Sequence, residues 1–336
     1  VQCWRAQFAI NFDNKESLFY SVCMTHNLPR LSLILQTALL FGLLVASAPM
    51  AVAQVHSPQA LRNAASLAQD LSYPDKLSEF GFFSTPSMAM YKPVGNGPFP
   101  ALVLQHQCGG LRNASGSWQN QSMLDWAKTA VQRGYVALVI DSMGPRGVDS
   151  LCSGPKSGVN FMRGARDALL AAAHLKKFDF VDKERIAHAG YSWGAMVSLA
   201  LSGKTWGEAL GDGTRFAAAV SFYPGCFTLR PPTGPAYDLI NPDVDKPLLV
   251  LMGDLDNETP PADCLPKLEA AKSAGGPVQW HVYPETTHCW DCKNLHTFSK
   301  TDSRGNRVTY LYSSKVTQNS EQRMFDFLET ELKLKK

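Results

Sequence analysis

Apolar residues fall in short unbroken runs, and the stretches between them carry apolar positions at helical spacing. Ala101–Gln105 (ALVLQ), Tyr135–Ile140 (YVALVI), Arg185–Tyr191 (RIAHAGY), Ala217–Phe222 (AAAVSF), Leu248–Met252 (LLVLM) and Val278–Tyr283 (VQWHVY) read as strands. Most show no alternation, as expected of strands covered on both faces. Trp118–Gln132, ended by Gly134, reads as a helix, and so do Val159–Leu175, Ala195–Leu201, Pro261–Ser273 and Ser320–Leu334. Strands alternating with helices predict parallel crossover units in a doubly wound, mostly parallel α/β sheet with helices on both faces. Phe80–Tyr91 alternates loosely and predicts early antiparallel strands, while Gln59–Leu71 predicts a short helix or an arm. One domain is expected over residues 78–336, preceded by an arm at residues 54–77.

The segment before the arm has a different pattern. From Met24 a short basic start (MTHNLPR) leads to the apolar run Leu31–Ala46 and the small-residue end Ala51-Val52-Ala53. Those three regions in that order predict a secretory signal peptide at residues 24–53, cleaved to leave Gln54. The apolar run contains Ser32, Gln36 and Thr37 and is short for a membrane span, so no stable span is expected after cleavage. Val1–Cys23 fit no targeting pattern and read as sequence upstream of the true start at Met24.

Composition narrows the partners. The chain is 45% hydrophobic and 18% charged, which excludes a disordered or fibrous protein. The net charge of +3 comes without any basic run, so no nucleic-acid partner is implied. Six of the eight cysteines follow Gln54, and in an exported chain that even number predicts disulfides.

An open α/β sheet binds ligands beyond the carboxyl ends of its strands, and candidate chemistry lies at those positions. Gly190-Tyr191-Ser192-Trp193-Gly194 is G-x-S-x-G, placed between a predicted strand and a predicted helix. That context turns a weak pattern into a candidate nucleophile, because the Ser needs a sharp strand-to-helix turn with close backbone passage. The alternative is a Gly-rich turn with a capping Ser. On such a scaffold an acid and then a His follow the Ser in the chain. Asp254 and Asp256 lie just past LLVLM, and His288 lies just past VQWHVY. Turn geometry favours Asp256, since Asp254 directly follows Gly253 and can simply turn the chain. The second oxyanion donor is expected in the Gly-rich turn His106-Gln107-Cys108-Gly109-Gly110, beside the amide of Trp193.

The stretches LQHQCGGL, DSMGPRG, GYSWGAM, SFYPGC, MGDLDNETP and YPETTHCW follow one another in an order that resembles the dienelactone hydrolase family of α/β hydrolases. The resemblance spans about residues 78–336. It implies the α/β-hydrolase fold, a Ser192–His288–Asp256 triad with Asp256 rather than Asp254 as the acid, and an oxyanion hole made by the Cys108 and Trp193 amides. It implies no cofactor and no metal. Dienelactone hydrolases proper carry Cys at the nucleophile, and this chain carries Ser192. Ester-type acyl transfer on a small-molecule ester or lactone is therefore implied, and the substrate itself is left open.

Other readings compete. His288, Cys289, Cys292 and His296 could form a metal or redox cluster, but His288 is already wanted by the triad. A non-catalytic binding protein would be expected to lack part of the triad. A peptidase would be expected to carry an additional domain. Arg146, just past YVALVI, is a candidate partner for a substrate carboxylate, and Trp193 and Trp290 are candidates to line the acyl pocket. Loop position predicts the disulfides. Cys108 and Cys152 follow strands whose loops emerge on one edge, as do Cys226 and Cys264, which leaves Cys289–Cys292 as a local pair.

Overall fold

The computed structural model describes residues 56–231, 235–302 and 304–334. The predicted signal peptide and Val1–Cys23 lie outside the described residues. In chain order the elements are α1 (Pro58–Ala65), β1 (Ala89–Tyr91), β2 (Phe99–Gln105), α2 (Gln121–Gln132), β3 (Val136–Ile140), α3 (Phe161–Leu175), β4 (Val181–Tyr191), α4 (Trp193–Ser202), α5 (Lys204–Leu210), β5 (Ala218–Phe222), β6 (Leu248–Gly253), α6 (Pro261–Ser273), β7 (Val278–Tyr283), β8 (Ser299–Thr301), β9 (Arg307–Thr309) and α7 (Ser314–Glu331).

Seven strands form one sheet in the order β1-β3-β2-β4-β5-β6-β7. Every pairing in it is parallel except β1 with β3. Side-chain alternation feeds two cores. Ala101, Val103, Leu138 and Ile140 enter one, while Leu102, Leu104, Ala137 and Val139 enter the other. Both sets are buried, which is why these strands read as unbroken apolar runs. The chain runs outward from β2 to β3 and returns to place β4 on the far side of β2. That reversal opens a crevice between the loops after β2 and β4, where sheets of this type bind ligands.

The arm is part of this packing. Helix α1 is capped by Ser57, begins at Pro58 and buries Leu61 and Ala65. Arg163 on α3 donates from Nη1 to Ala65 O and Ala68 O, each at 3.0 Å, and Asn160 Nδ2 donates to Ala64 O at 3.0 Å. Among the described residues no helix is long and apolar enough to cross a membrane.

Two predicted elements differ. Of Phe80–Tyr91 only Ala89–Tyr91 is a strand, and the alternation upstream of it belongs to a turn. Phe82 and Phe83 there are 99% and 92% exposed, so they face no core. Helix α7 starts six residues before the predicted Ser320, with Ser313 as its N-cap accepting from Val316 N. Its first turns are mostly polar and carry no apolar period. Two elements have no counterpart in the apolar pattern: the seven-residue α5 and the β8–β9 hairpin, whose strands are three residues each.

Candidate active site

Ser192 stands between β4 and α4 at φ 51° and ψ −108°. A non-glycine residue in that region costs about 1–3 kcal/mol and persists only where its surroundings hold it. They do so here through two long-range bonds. Ser192 N donates to Phe222 O at 2.9 Å, and Gly194 N donates to His106 O at 3.1 Å. The flanking glycines are needed for space. A Cβ on Gly194 would meet Gln105 O at 2.3 Å, and one on Gly190 would meet Gly194 O at 1.9 Å.

The loop after β7 brings His288 to this serine. With Nδ1 protonated toward the carboxylate, His288 donates to Asp256 Oδ2 at 2.7 Å, and its Nε2 accepts from Ser192 Oγ at 2.9 Å. Asp256 Oδ1 also accepts from the amides of Glu258 and Thr259, at 3.0 and 2.8 Å. Thr259 Oγ1 donates to Asp256 Oδ2 at 2.7 Å. The carboxylate is thus locked, with almost no exposure. Asp254, by contrast, is exposed and accepts from Thr286 N at 3.2 Å, the loop-turning role left to it by its place beside Gly253.

Burial alone would push the His288 imidazolium down. The charges of Asp256 and then Glu258 outweigh it and hold the pKa above the ordinary histidine value. Behind the His loop, Asp291 accepts from Trp126 Nε1 and Tyr223 Oη, each at 2.8 Å, and burial raises its carboxyl above the usual range.

Ser192 opens into a cavity of about 630 Å³. Phe161, Trp193, Met196 and Phe227 line its apolar part, and Arg230, Lys300 and Arg304 stand among its polar lining. Cys108 and Trp193 both line it, and neither backbone N–H donates to an acceptor among the described residues. Two free donors beside a held hydroxyl are what a developing oxyanion needs.

Two predicted substrate contacts do not reach this cavity. Arg146 is spent on Asp167, with Nη1 and Nη2 at 2.7 and 2.8 Å from its two oxygens, and on Ser142 O and Gln69 O. No donor faces a ligand, so Arg146 fastens the arm to α3 and does not recognise a substrate carboxylate. Trp290 is fully buried against Tyr223 and Tyr283 and donates to Ser320 Oγ at 3.3 Å, a core role. The sulfur pairs are Cys108–Cys152, Cys226–Cys264 and Cys289–Cys292. The last pair lies with Asp291, but its sulfurs are bonded to each other and offer no thiolate to a metal. His296 is exposed, and its Nδ1 accepts from Tyr312 N at 3.1 Å.

The apolar pattern missed Glu258, Lys300 and Tyr310. Lys300 Nζ and Tyr310 Oη both donate to the Glu258 carboxylate, each at 2.7 Å. Their separations of 42 and 52 residues leave no local motif.

Fold and site together define an α/β hydrolase. A model of the dienelactone hydrolase family matches residues 88–332, most of the chain. The chain belongs to the dienelactone hydrolase family, and it is a carboxylic ester hydrolase. Among solved structures it is similar to a Klebsiella pneumoniae protein assigned as a dienelactone hydrolase, at 17% identity and TM-score 0.52, covering 71% of this chain and 90% of that one. It is also similar to an α/β hydrolase from a Medee basin deep-sea metagenome library, at 20% identity and TM-score 0.51, covering 70% and 86%. A dienelactone hydrolase-like promiscuous phosphotriesterase from metagenomic libraries shares the fold at 17% identity and TM-score 0.50, covering 70% and 88%. No curated protein matches the chain.

Proposed function

We propose that the protein is an exported serine esterase that cleaves a small carboxylic ester or lactone through an acyl-enzyme. The observation that carries this reading is the continuous relay from Asp256 through His288 to Ser192, at 2.7 and 2.9 Å, ending in a cavity. Ser192 Oγ attacks the ester carbonyl as His288 Nε2 takes its proton. Asp256 holds the imidazole tautomer and stabilises the imidazolium. The amides of Cys108 and Trp193 receive the oxyanion, and His288 returns the proton to the leaving alkoxide. A water, deprotonated by His288, then releases the acid. The cavity's volume and mixed lining suit a small-molecule substrate. Export is supported by the leader pattern of residues 24–53 and by the three disulfides, which persist in oxidising compartments.

The test is turnover of a short-chain p-nitrophenyl ester. Ser192→Ala is expected to cut kcat by about 10⁴ or more, and His288→Ala by a similar factor, because the residues act as a unit. Near-wild-type turnover in folded Ser192→Ala would remove the assignment.

A further inference from the structure

A second carboxylate reaches the nitrogen that carries the chemistry. Glu258 Oε2 lies 4.0 Å from His288 Nε2, the atom that faces Ser192 Oγ. Its carboxylate is 15% exposed and lines the same cavity as Ser192. It cannot swing away, because Lys300 Nζ grips Oε1 and Tyr310 Oη grips Oε2, each at 2.7 Å. Both grips come from the hairpin region, and Arg304 Nη2 reinforces it by donating to Asn257 O at 3.3 Å. His288 therefore stands between two carboxylates. Asp256 binds Nδ1 directly, and Glu258 faces Nε2 at a distance where charge acts without a hydrogen bond.

We propose that Glu258 is a positioning residue of the esterase, held by Lys300 and Tyr310 so that its charge stabilises His288 as imidazolium while Ser192 attacks. The reasoning is electrostatic. When the Ser192 proton moves to Nε2, a positive charge appears 4.0 Å from Glu258 in a largely buried site, where opposite charges attract far more than in water. Lys300, on the opposite oxygen, tempers that field. The other titratable groups facing His288 are accounted for, and Thr259 Oγ1 lies 3.1 Å from Nδ1. Asp256 acts through Nδ1, and Tyr223 and Tyr310 present their rings, at 4.7 and 5.5 Å between centroids. Asp291 is engaged by Trp126 and Tyr223. Burial would push the Glu258 carboxyl up, but the charges of His288 and Lys300 hold it below the usual range, as the arrangement requires.

This proposal rests on His288 being the base, and the experiment separates the two. The pH dependence of kcat/KM for the p-nitrophenyl ester is measured in wild type, Glu258→Gln and Lys300→Met, with Ser192→Ala as the reference for the triad. His288 must be neutral to act, so activity falls on the acid side, and the wild-type limb is expected above pH 6.5. Removing the negative charge should move that limb down by about one pH unit and lower plateau kcat about tenfold, with KM within about twofold. Removing Lys300 should move the limb up, by about half a unit. Opposite signs are the signature, since loss of a merely structural contact moves no limb or moves both alike. Unmoved limbs, or shifts of one sign in both variants, would overturn the proposal while leaving a Ser192-dependent esterase intact. Wild-type turnover in Ser192→Ala would instead overturn the triad on which it rests.

Discussion

The Asp256–His288 pair and the Asp167–Arg163–Arg146 cluster are made of the same ingredients: a carboxylate with almost no exposure and a nitrogen partner within 3 Å. They differ in what is left over. His288 gives Nδ1 to the carboxylate and keeps Nε2 for Ser192 and the cavity. In the other cluster the donors not on Asp167 are committed to backbone and to Asp70. Arg146 reaches Gln69 O and Ser142 O, and Arg163 reaches Ala65 O and Ala68 O. A guanidinium stays protonated and a histidine does not, so only the first pair can pass a proton. Position beyond a strand's carboxyl end is thus not sufficient for function. A site must also leave a lone pair or a donor unspent.

That contrast can be broken from either side. The largest effect is expected at the acid. Asp256→Asn keeps the shape but spoils the imidazole tautomer, and kcat should fall about 10⁴-fold. Asp254→Asn, which loses one loop contact, should fall no more than about twofold, within the range of ordinary surface changes. The reverse ranking in ester assays would show the acid to be misassigned. Asp167→Ala should act on stability instead. It leaves Arg146 with no carboxylate and Arg163 with only the half-exposed Asp70, 2.8 Å from its Nη2. Breaking a buried pair in this way costs about 3–5 kcal/mol, read as a lower urea midpoint with kcat per folded molecule retained. A further variant separates loops from sheet. Cys108→Ser with Cys152→Ser should cost about 3–4 kcal/mol in the chain-entropy model. Because this bridge holds the Cys108 amide, esterase activity should be lost at lower urea than the far-ultraviolet circular dichroism signal. Coincident loss of both would show that the bridge serves the sheet alone.

The sheet was legible because buried parallel strands leave unbroken apolar runs, and the runs ending at Gln105, Tyr191 and Phe222 stop at or just before the loops that carry the site. The order Ser192, Asp256, His288 was legible because each follows a strand. Glu258 was not, because its meaning depends on Lys300 and Tyr310, brought to it by a hairpin whose three-residue strands leave no period. Arg146 misled because the sequence shows its edge position but not Asp167, which α3 carries back to it. Trp290 misled because the chain turns inward two residues after His288, onto Tyr223 and Tyr283.

The elbow's two long-range bonds also bear on how the chain matures. Ser192 is held by Phe222 O, thirty residues later, and Gly194 by His106 O, from the turn after β2. Both of these bonds come from distant elements, so a nascent chain that has made β4 and α4 but not β5 lacks the Phe222 O contact on Ser192. The elbow is complete only once β2, β4 and β5 have assembled in register, and Asp256 and His288 come later still, from the loops after β6 and β7. The Asp256–His288–Ser192 relay is therefore a property of the completed sheet and of no shorter part of it.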